Sequence, residues 1–288
     1  MWHVGRHCEF APSLLAPTLL ALSVYHRRTM TVSQVWIMDD GPDITRAAAE
    51  LVASLSREPV MARGRFNFAL SGGNTPLPLY RLLGSPAYAL AMPWDRTHFF
   101  WCDERCVPPD HPENSYGQAR ESLLVAVDAP ASHIHRIRGE LDPAAAATDY
   151  VATLRLHADE GLTWPQLDVA ILGLGSDGHT ASLFPGSPLD TDPAVPARAV
   201  TGDYAGRPSQ RVTLTPAIFH TARHLIFLVT GTNKAEALAA TLEGPDDPVR
   251  WPAQRLLPEG GTVTWIVDRA AGARLQAARR AIPATPDR

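Results

Sequence analysis

The sequence predicts an α/β fold: a mostly parallel sheet with helices on both faces, Rossmann-like and doubly wound. Three observations carry this. Short β-type runs alternate with Ala- and Leu-rich stretches at helical spacing. The runs at residues 167–172 and 225–230 are nearly continuous in apolar residues, as strands buried on both faces must be. Polar, often glycine-rich segments follow the strands, at the carboxyl ends where such sheets bind ligands.

In chain order, residues 39–57 read as an opening helix, begun by Asp39, Pro42 and Asp43. A strand at 66–70 leads through Ser71-Gly72-Gly73-Asn74-Thr75-Pro76 into a helix ending at Leu83. A second strand, 97–102, meets the polar turn Asp103-Glu104-Arg105 and a helix over 114–127. Residues 142–159 form a helix started by Asp142-Pro143. The apolar strand at 167–172 runs into Gly173-Leu174-Gly175-Ser176-Asp177-Gly178-His179. Residues 211–215 alternate like a strand, 225–230 form a buried strand ending before Gly231, 233–242 a helix, and 262–267 the last strand. The Pro-rich stretches 185–208 and 244–258 read as surface loops, and no internal repeat is evident.

The 288 residues suit one large domain, and 45% hydrophobic with 19% charged residues is the composition of a chain that buries a core. Residues 30–288 are taken as that single domain, and residues 1–29 as a disordered or mis-assigned extension with Met30 as a start. The apolar run 14–24 is short, contains Pro17 and lacks a small-residue cleavage pattern, unlike a secretory signal. A net charge of −4 offers no general attraction to nucleic acid or an anionic membrane, so an anionic ligand must be held by a local set of donors. Cys8, Cys102 and Cys106 are too few for a disulfide framework, and the expected compartment is the cytoplasm. His98, Cys102, Cys106 and His111 match no zinc spacing, so no metal is expected of them.

Ser71-Gly72-Gly73-Asn74-Thr75-Pro76 lies between strand and helix, where glycines let the backbone approach a ligand and helix-start amides can face an anion. Asn74 or Thr75 is the expected N-cap, with Pro76 at the first helical position. The segment matches neither a P-loop nor GxGxxG, and a plain tight turn explains it equally well. Gly173 to Ser182 contains one carboxylate and one histidine: His179 is suited to take a proton from water near neutral pH, and Asp177 to orient it. A histidine merely capping a helix start is the plainer alternative. Asp103, Glu104 and Arg105 put three charges at the rim of the expected cleft, although in isolation such a triplet is a solvated turn. Arg211 opens a strand, and Lys234 sits in a first helical turn, where a cation opposes the helix dipole unless an anion is bound.

Together these segments resemble the 6-phosphogluconolactonase family from about Ile44 to Ala270. The similarity is carried by Ser71-Gly72-Gly73-Asn74-Thr75-Pro76, Asp103-Glu104-Arg105-Cys106-Val107-Pro108 and the run from Leu172 through Asp177-Gly178-His179 to Gly186. Arg211-Val212-Thr213, Gly231-Thr232-Asn233-Lys234-Ala235 and Val263-Thr264-Trp265 add to it. The resemblance implies hydrolysis of 6-phospho-D-glucono-1,5-lactone to 6-phosphogluconate in the oxidative pentose phosphate pathway, by a monomer or small homo-oligomer with no metal or organic cofactor. Ser71, Gly72, Gly73, Asn74 and Thr75, with Arg211 and Lys234, are then expected to hold the phosphate. His179 is expected as general base, Asp177 as its orienter and Arg105 as the stabiliser of oxyanion charge, with Asp103 and Glu104 holding Arg105 or binding sugar hydroxyls.

The pattern departs at Asn74, where the family often has Ser, and at Asn114-Ser115-Tyr116, where it has Ser-Asn-Tyr, which leaves the role of Asn114 open. Two rivals remain. Glucosamine-6-phosphate deaminases have a Glu five residues after the histidine, here Phe184, and a Tyr where this chain has Arg105. A silent sugar-phosphate sensor of the transcriptional-regulator type usually carries a helix-turn-helix, and the residues before the opening helix leave no room for one.

Overall fold

The structure is a computed structural model that describes residues 20–26, 31–187, 194–203 and 206–276. Most of the span assigned to an extension lies outside the described residues. Within that span, β1 (Leu20–His26) pairs antiparallel with β2 (Thr31–Met38). Then follow α1 (Gly41–Leu55), α2 (Arg57–Arg63), β3 (Phe66–Leu70), α3 (Leu77–Leu83), β4 (Thr97–Trp101), β5 (Asp103–Arg105), α4 (Ser115–Ala119), β6 (Ile134–His135) and α5 (Pro143–Leu156). The chain continues with β7 (Val169–Gly173), β8 (Ala197–Thr201), β9 (Gln210–Leu214), α6 (Pro216–His220), β10 (His224–Val229), α7 (Ala235–Glu243), β11 (Thr262–Asp268) and α8 (Arg269–Gly272).

Eight strands make one sheet in the order β1-β2-β11-β10-β7-β3-β4-β6, parallel throughout except for β1. This is the mostly parallel sheet the strand–helix alternation predicts. From the central neighbours β3 and β7 the chain progresses in opposite directions, through β4 and β6 on one side and through β10 and β11 on the other. Right-handed crossovers running in opposite directions put their helices on opposite faces and open a crevice beyond the carboxyl ends of β3 and β7. Phe66, Phe68, Ile171, Leu172, Phe227 and Trp265 are all buried within the sheet.

The helix starts follow local chemistry. Asp40 Oδ1 accepts from Asp43 N (2.9 Å) to cap α1, and Asp142 Oδ1 accepts from Ala144 N (3.0 Å) to cap α5, as Asp142-Pro143 signals. At α3 the expectation fails. Its N-cap is Pro76 without a side-chain cap, and Asn74 and Thr75 lie exposed in the preceding turn.

A second sheet, β5-β9-β8, is antiparallel and changes two readings. Asp103-Glu104-Arg105 is a buried strand rather than a polar turn, and β9 belongs here rather than to the parallel sheet. Part of the 185–208 stretch read as loop is β8. Cys102 joins the two sheets: its N–H donates to Leu70 O and its carbonyl accepts from Leu214 N, each at 2.8 Å. The ladder on β9 satisfies only part of the β5 backbone: Arg105 N donates to Glu104 Oε1 and Arg105 O accepts from Val107 N, each at 2.8 Å, and this further pairing makes burial tolerable.

Candidate active site

The crevice at the carboxyl ends of β3 and β7 is a cavity of about 250 Å³. The segment after β3 forms one wall, that after β7 another, and β5, β9 and Lys234 close it. At the first wall the backbone is tightly held. Ser71 N donates to Tyr80 Oη (3.0 Å), whose hydroxyl donates back to Ser71 O (2.8 Å), and Ser71 Oγ donates to Ile171 O (2.7 Å). Gly73 N donates to Gln118 Oε1 (2.9 Å). A Cβ on Gly72 would run into Ser115 Oγ, so the turn passes this close to the start of α4 only as glycine.

At the second wall His179 Nδ1 meets Asp177 Oδ1 at 2.6 Å, and His179 N donates to the same oxygen at 3.2 Å. Burial raises the Asp177 carboxyl, but its hydrogen bonds and charge attraction with His179 outweigh that and hold it below the ordinary carboxylate value. An ionised Asp177 at Nδ1 keeps the proton there, which makes Nε2 the nitrogen able to act as a base. Gly175 admits this geometry: a Cβ there would strike His179 Nδ1 and Asp177 Oδ1. The Phe184 ring lies 4.9 Å from the His179 ring, and the Arg211 guanidinium sits over the Phe184 ring, 5.4 Å from its centroid.

Arg105 and Arg211, 5% and 2% exposed, come from directly paired positions on β5 and β9. Arg105 Nη1 donates to Glu113 O (2.7 Å) and lies 3.4 Å from Glu113 Oε2, which Arg207 approaches at 3.5 Å. Arg211 Nε donates to Pro208 O (3.1 Å), while its buried Nη2 has no hydrogen-bond partner among the described residues. Burial lowers the Arg211 pKa, with Asp103 opposing that and Arg105 and Arg207 adding to it. Asp103 Oδ2 accepts from Ser182 Oγ (2.7 Å), tying β5 to the His179 segment. With Arg105, Arg207, Arg211 and Lys234 on its walls against Asp103, the cavity is built for an anion.

The family described as "Glucosamine-6-phosphate isomerases/6-phosphogluconolactonase" matches residues 39–265. A 6-phosphogluconolactonase of Nostoc sp. is 37% identical over 84% of this chain and 98% of its own. The chain belongs to this family. Among solved structures, the 6-phosphogluconolactonase of Trypanosoma brucei superposes with a TM-score of 0.73 at 28% identity, over 84% of this chain and 98% of that one. A monomeric glucosamine-6-phosphate deaminase, 21% identical with a TM-score of 0.71 over 83% of this chain and 99% of that one, shares the fold alone.

Within this isomerase/lactonase family frame, the cavity gathers Ser71, Gly72, Gly73, Asn74, Thr75, Asp103, Arg105, His179, Arg211 and Lys234 as the sequence predicts. Two expected residues stand behind it. Asp177 backs His179, and Glu104 is fully buried, with Oε1 accepting from Arg105 N (2.8 Å) and Ser115 N (2.7 Å) and Oε2 from Tyr116 N (2.8 Å). Burial pushes the Glu104 carboxyl up to about 7 despite those three donors. Glu104 therefore organises the start of α4 and is turned away from any sugar hydroxyl. The Ser71 hydroxyl and Gly73 amide are likewise engaged within the protein. Asn114 caps α4, Oδ1 accepting from Gly117 N (2.8 Å) and Nδ2 donating to Val107 O (3.1 Å). Sequence reading missed Arg207 and Glu113; the only signal for Arg207 was a basic residue shortly before β9, inside a stretch read as loop. Among the described residues, the group of three possible metal ligands close together is His98, His135 and His157, and Cys102, Cys106 and His111 are not part of it.

Proposed function

We propose that this chain hydrolyses 6-phospho-D-glucono-1,5-lactone to 6-phosphogluconate. The observation that carries this is the Asp177–His179 pair at 2.6 Å on the wall of a cavity that also bears four cationic side chains. Arg211, Arg207 and Lys234 take the phosphate, and with the turn at residues 71–75 they set the lactone carbonyl near His179. His179 Nε2 removes a proton from water as the water oxygen attacks the carbonyl carbon. Arg105 offsets the negative charge that builds on the carbonyl oxygen. Collapse of the tetrahedral intermediate breaks the bond to the ring oxygen, which takes the proton back from His179. The acid released ionises to 6-phosphogluconate. Side chains supply every step of this scheme, and the resemblance to the lactonases implies no metal or organic cofactor.

The curated lactonase relative covers nearly its own full length, which favours this reaction over deamination. Phe184 points the same way, placing an apolar ring beside His179 where deaminases have a carboxylate. The proposed setting is the cytoplasmic oxidative pentose phosphate pathway, with the protein a monomer or small homo-oligomer. The test is a direct comparison of consumption of freshly generated 6-phosphogluconolactone, ammonia release from glucosamine 6-phosphate, and binding of either without turnover. Lactone consumption well above the spontaneous rate is expected. Ammonia release, or binding alone, would overturn the assignment.

A further inference from the structure

A second group of titratable side chains, none of them on the cavity wall, is left unexplained by the lactonase reading. His98 lies on β4, His135 on the edge strand β6, and His157 caps the carboxyl end of α5. His98 Nδ1 and His135 Nε2 are 2.9 Å apart, the rings of His135 and His157 are 3.7 Å apart, and one nitrogen from each of the three lies within 4.8 Å of the others. His133 stacks on His98 at 4.1 Å, and its buried Nδ1 has no hydrogen-bond partner among the described residues.

We propose that His98, His135 and His157 form a binding site for one divalent transition-metal ion of the zinc type, separate from the active site. Three imidazoles and no sulfur or carboxylate among the three suit zinc, copper or nickel and exclude the oxygen-seeking magnesium and calcium. Zinc–nitrogen bonds of about 2.0–2.1 Å put tetrahedral ligand nitrogens roughly 3.3 Å apart, so from spacings within 4.8 Å and a closest pair at 2.9 Å the group must contract by up to about 1.5 Å at its widest and open slightly at its narrowest. The ion would also separate two ring nitrogens that lie 2.9 Å apart.

The nearby charges nearly cancel. Arg65 is held by Asp159 (2.6 Å) and donates to His157 O (3.3 Å). His98 and His157 are half-buried, which leaves an approach from solvent. Because the three ligands come from β4, β6 and α5, a bound ion would pin the short edge strand and the end of α5 to the sheet. Its effect is therefore on stability, and none of the three histidines lines the cavity, so the ion stays out of the hydrolysis.

The experiment is a zinc titration of metal-free protein by calorimetry and thermal melting, with magnesium as the control, on wild type and on His98→Ala and His157→Asn. His157 is a half-exposed helix end, so His157→Asn retains the fold even if His98→Ala does not. One zinc per chain, a Tm rise absent with magnesium, at least tenfold weaker zinc binding in His157→Asn and unchanged lactone turnover in that variant are expected. No zinc binding by the wild type would overturn the proposal, as would undiminished zinc binding by His157→Asn.

Discussion

Arg105 and Arg211 stand directly opposite each other across the antiparallel β5–β9 pair, both nearly buried. Like charges in that relationship repel, and the repulsion turns to attraction once an anion lies between them. Arg211→Met should therefore raise KM about 10- to 100-fold, the loss of one or two charge-assisted hydrogen bonds, with a smaller change in kcat. Inorganic phosphate or 6-phosphogluconate should raise the Tm of the wild type and hardly move that of Arg211→Met. Steady-state kinetics and thermal melting check both; an unchanged KM would take Arg211 out of the phosphate site.

Removal of the base tests the chemistry. His179→Ala should lower kcat by roughly 10²–10⁴-fold after subtraction of spontaneous lactone hydrolysis, with KM little altered. Asp177→Asn should cost less, because it disturbs the tautomer and orientation of His179 and leaves the imidazole in place. A His179→Ala protein with near-normal kcat would exclude His179 as the base.

Gly175 offers a test that leaves every functional group present. A methyl group there meets His179 Nδ1 and Asp177 Oδ1, so Gly175→Ala must displace the pair. A displacement of about 1 Å costs on the order of 10²-fold in rate. The measurement is kcat alongside the melting temperature, and full activity in a folded Gly175→Ala protein would refute the geometry.

Glu104 makes stability depend on pH. Its carboxyl, ordinarily near 4.5, is raised by burial to about 7, so the folded state binds this proton more tightly than the unfolded chain does. Stability from this group is then complete below about pH 4.5 and is lost as pH rises towards 7, about 3 kcal/mol in all. Glu104→Gln is destabilised at every pH because its amide meets a backbone N–H. Its deficit relative to wild type should shrink as pH rises across that window. Denaturant unfolding of both proteins between pH 4.5 and 7.5 measures this, and a constant deficit would contradict the raised value.

Much of this was legible in the residues. The apolar runs ending in Leu70, Leu172 and Val229 signal buried parallel strands, and all three are. The link from Asp177 to His179 spans two residues, so local spacing suffices to suggest it. By contrast, Asp103-Glu104-Arg105 read as a polar turn at the rim of the cleft, because three charges in a row say nothing of a partner strand about a hundred residues on. The hydroxyl of Ser71 and the carboxylate of Glu104 looked available to a ligand, and backbone groups from distant segments engage both. The histidine group escaped notice because β4, β6 and α5 meet only in the fold.

By itself the sequence determined the alternating α/β class, the order of most elements and the segments that carry the chemistry, since strand and helix periodicity and short-range spacing are written locally. The tertiary structure alone decided that β5 and β9 leave the main sheet to form a small antiparallel one, that Arg105 thereby faces Arg211, and that Arg207 joins them over Glu113. Those relationships come from long-range backbone pairing. A buried ladder must satisfy its N–H and C=O groups wherever partners lie, and that requirement leaves little trace in the residues next along the chain.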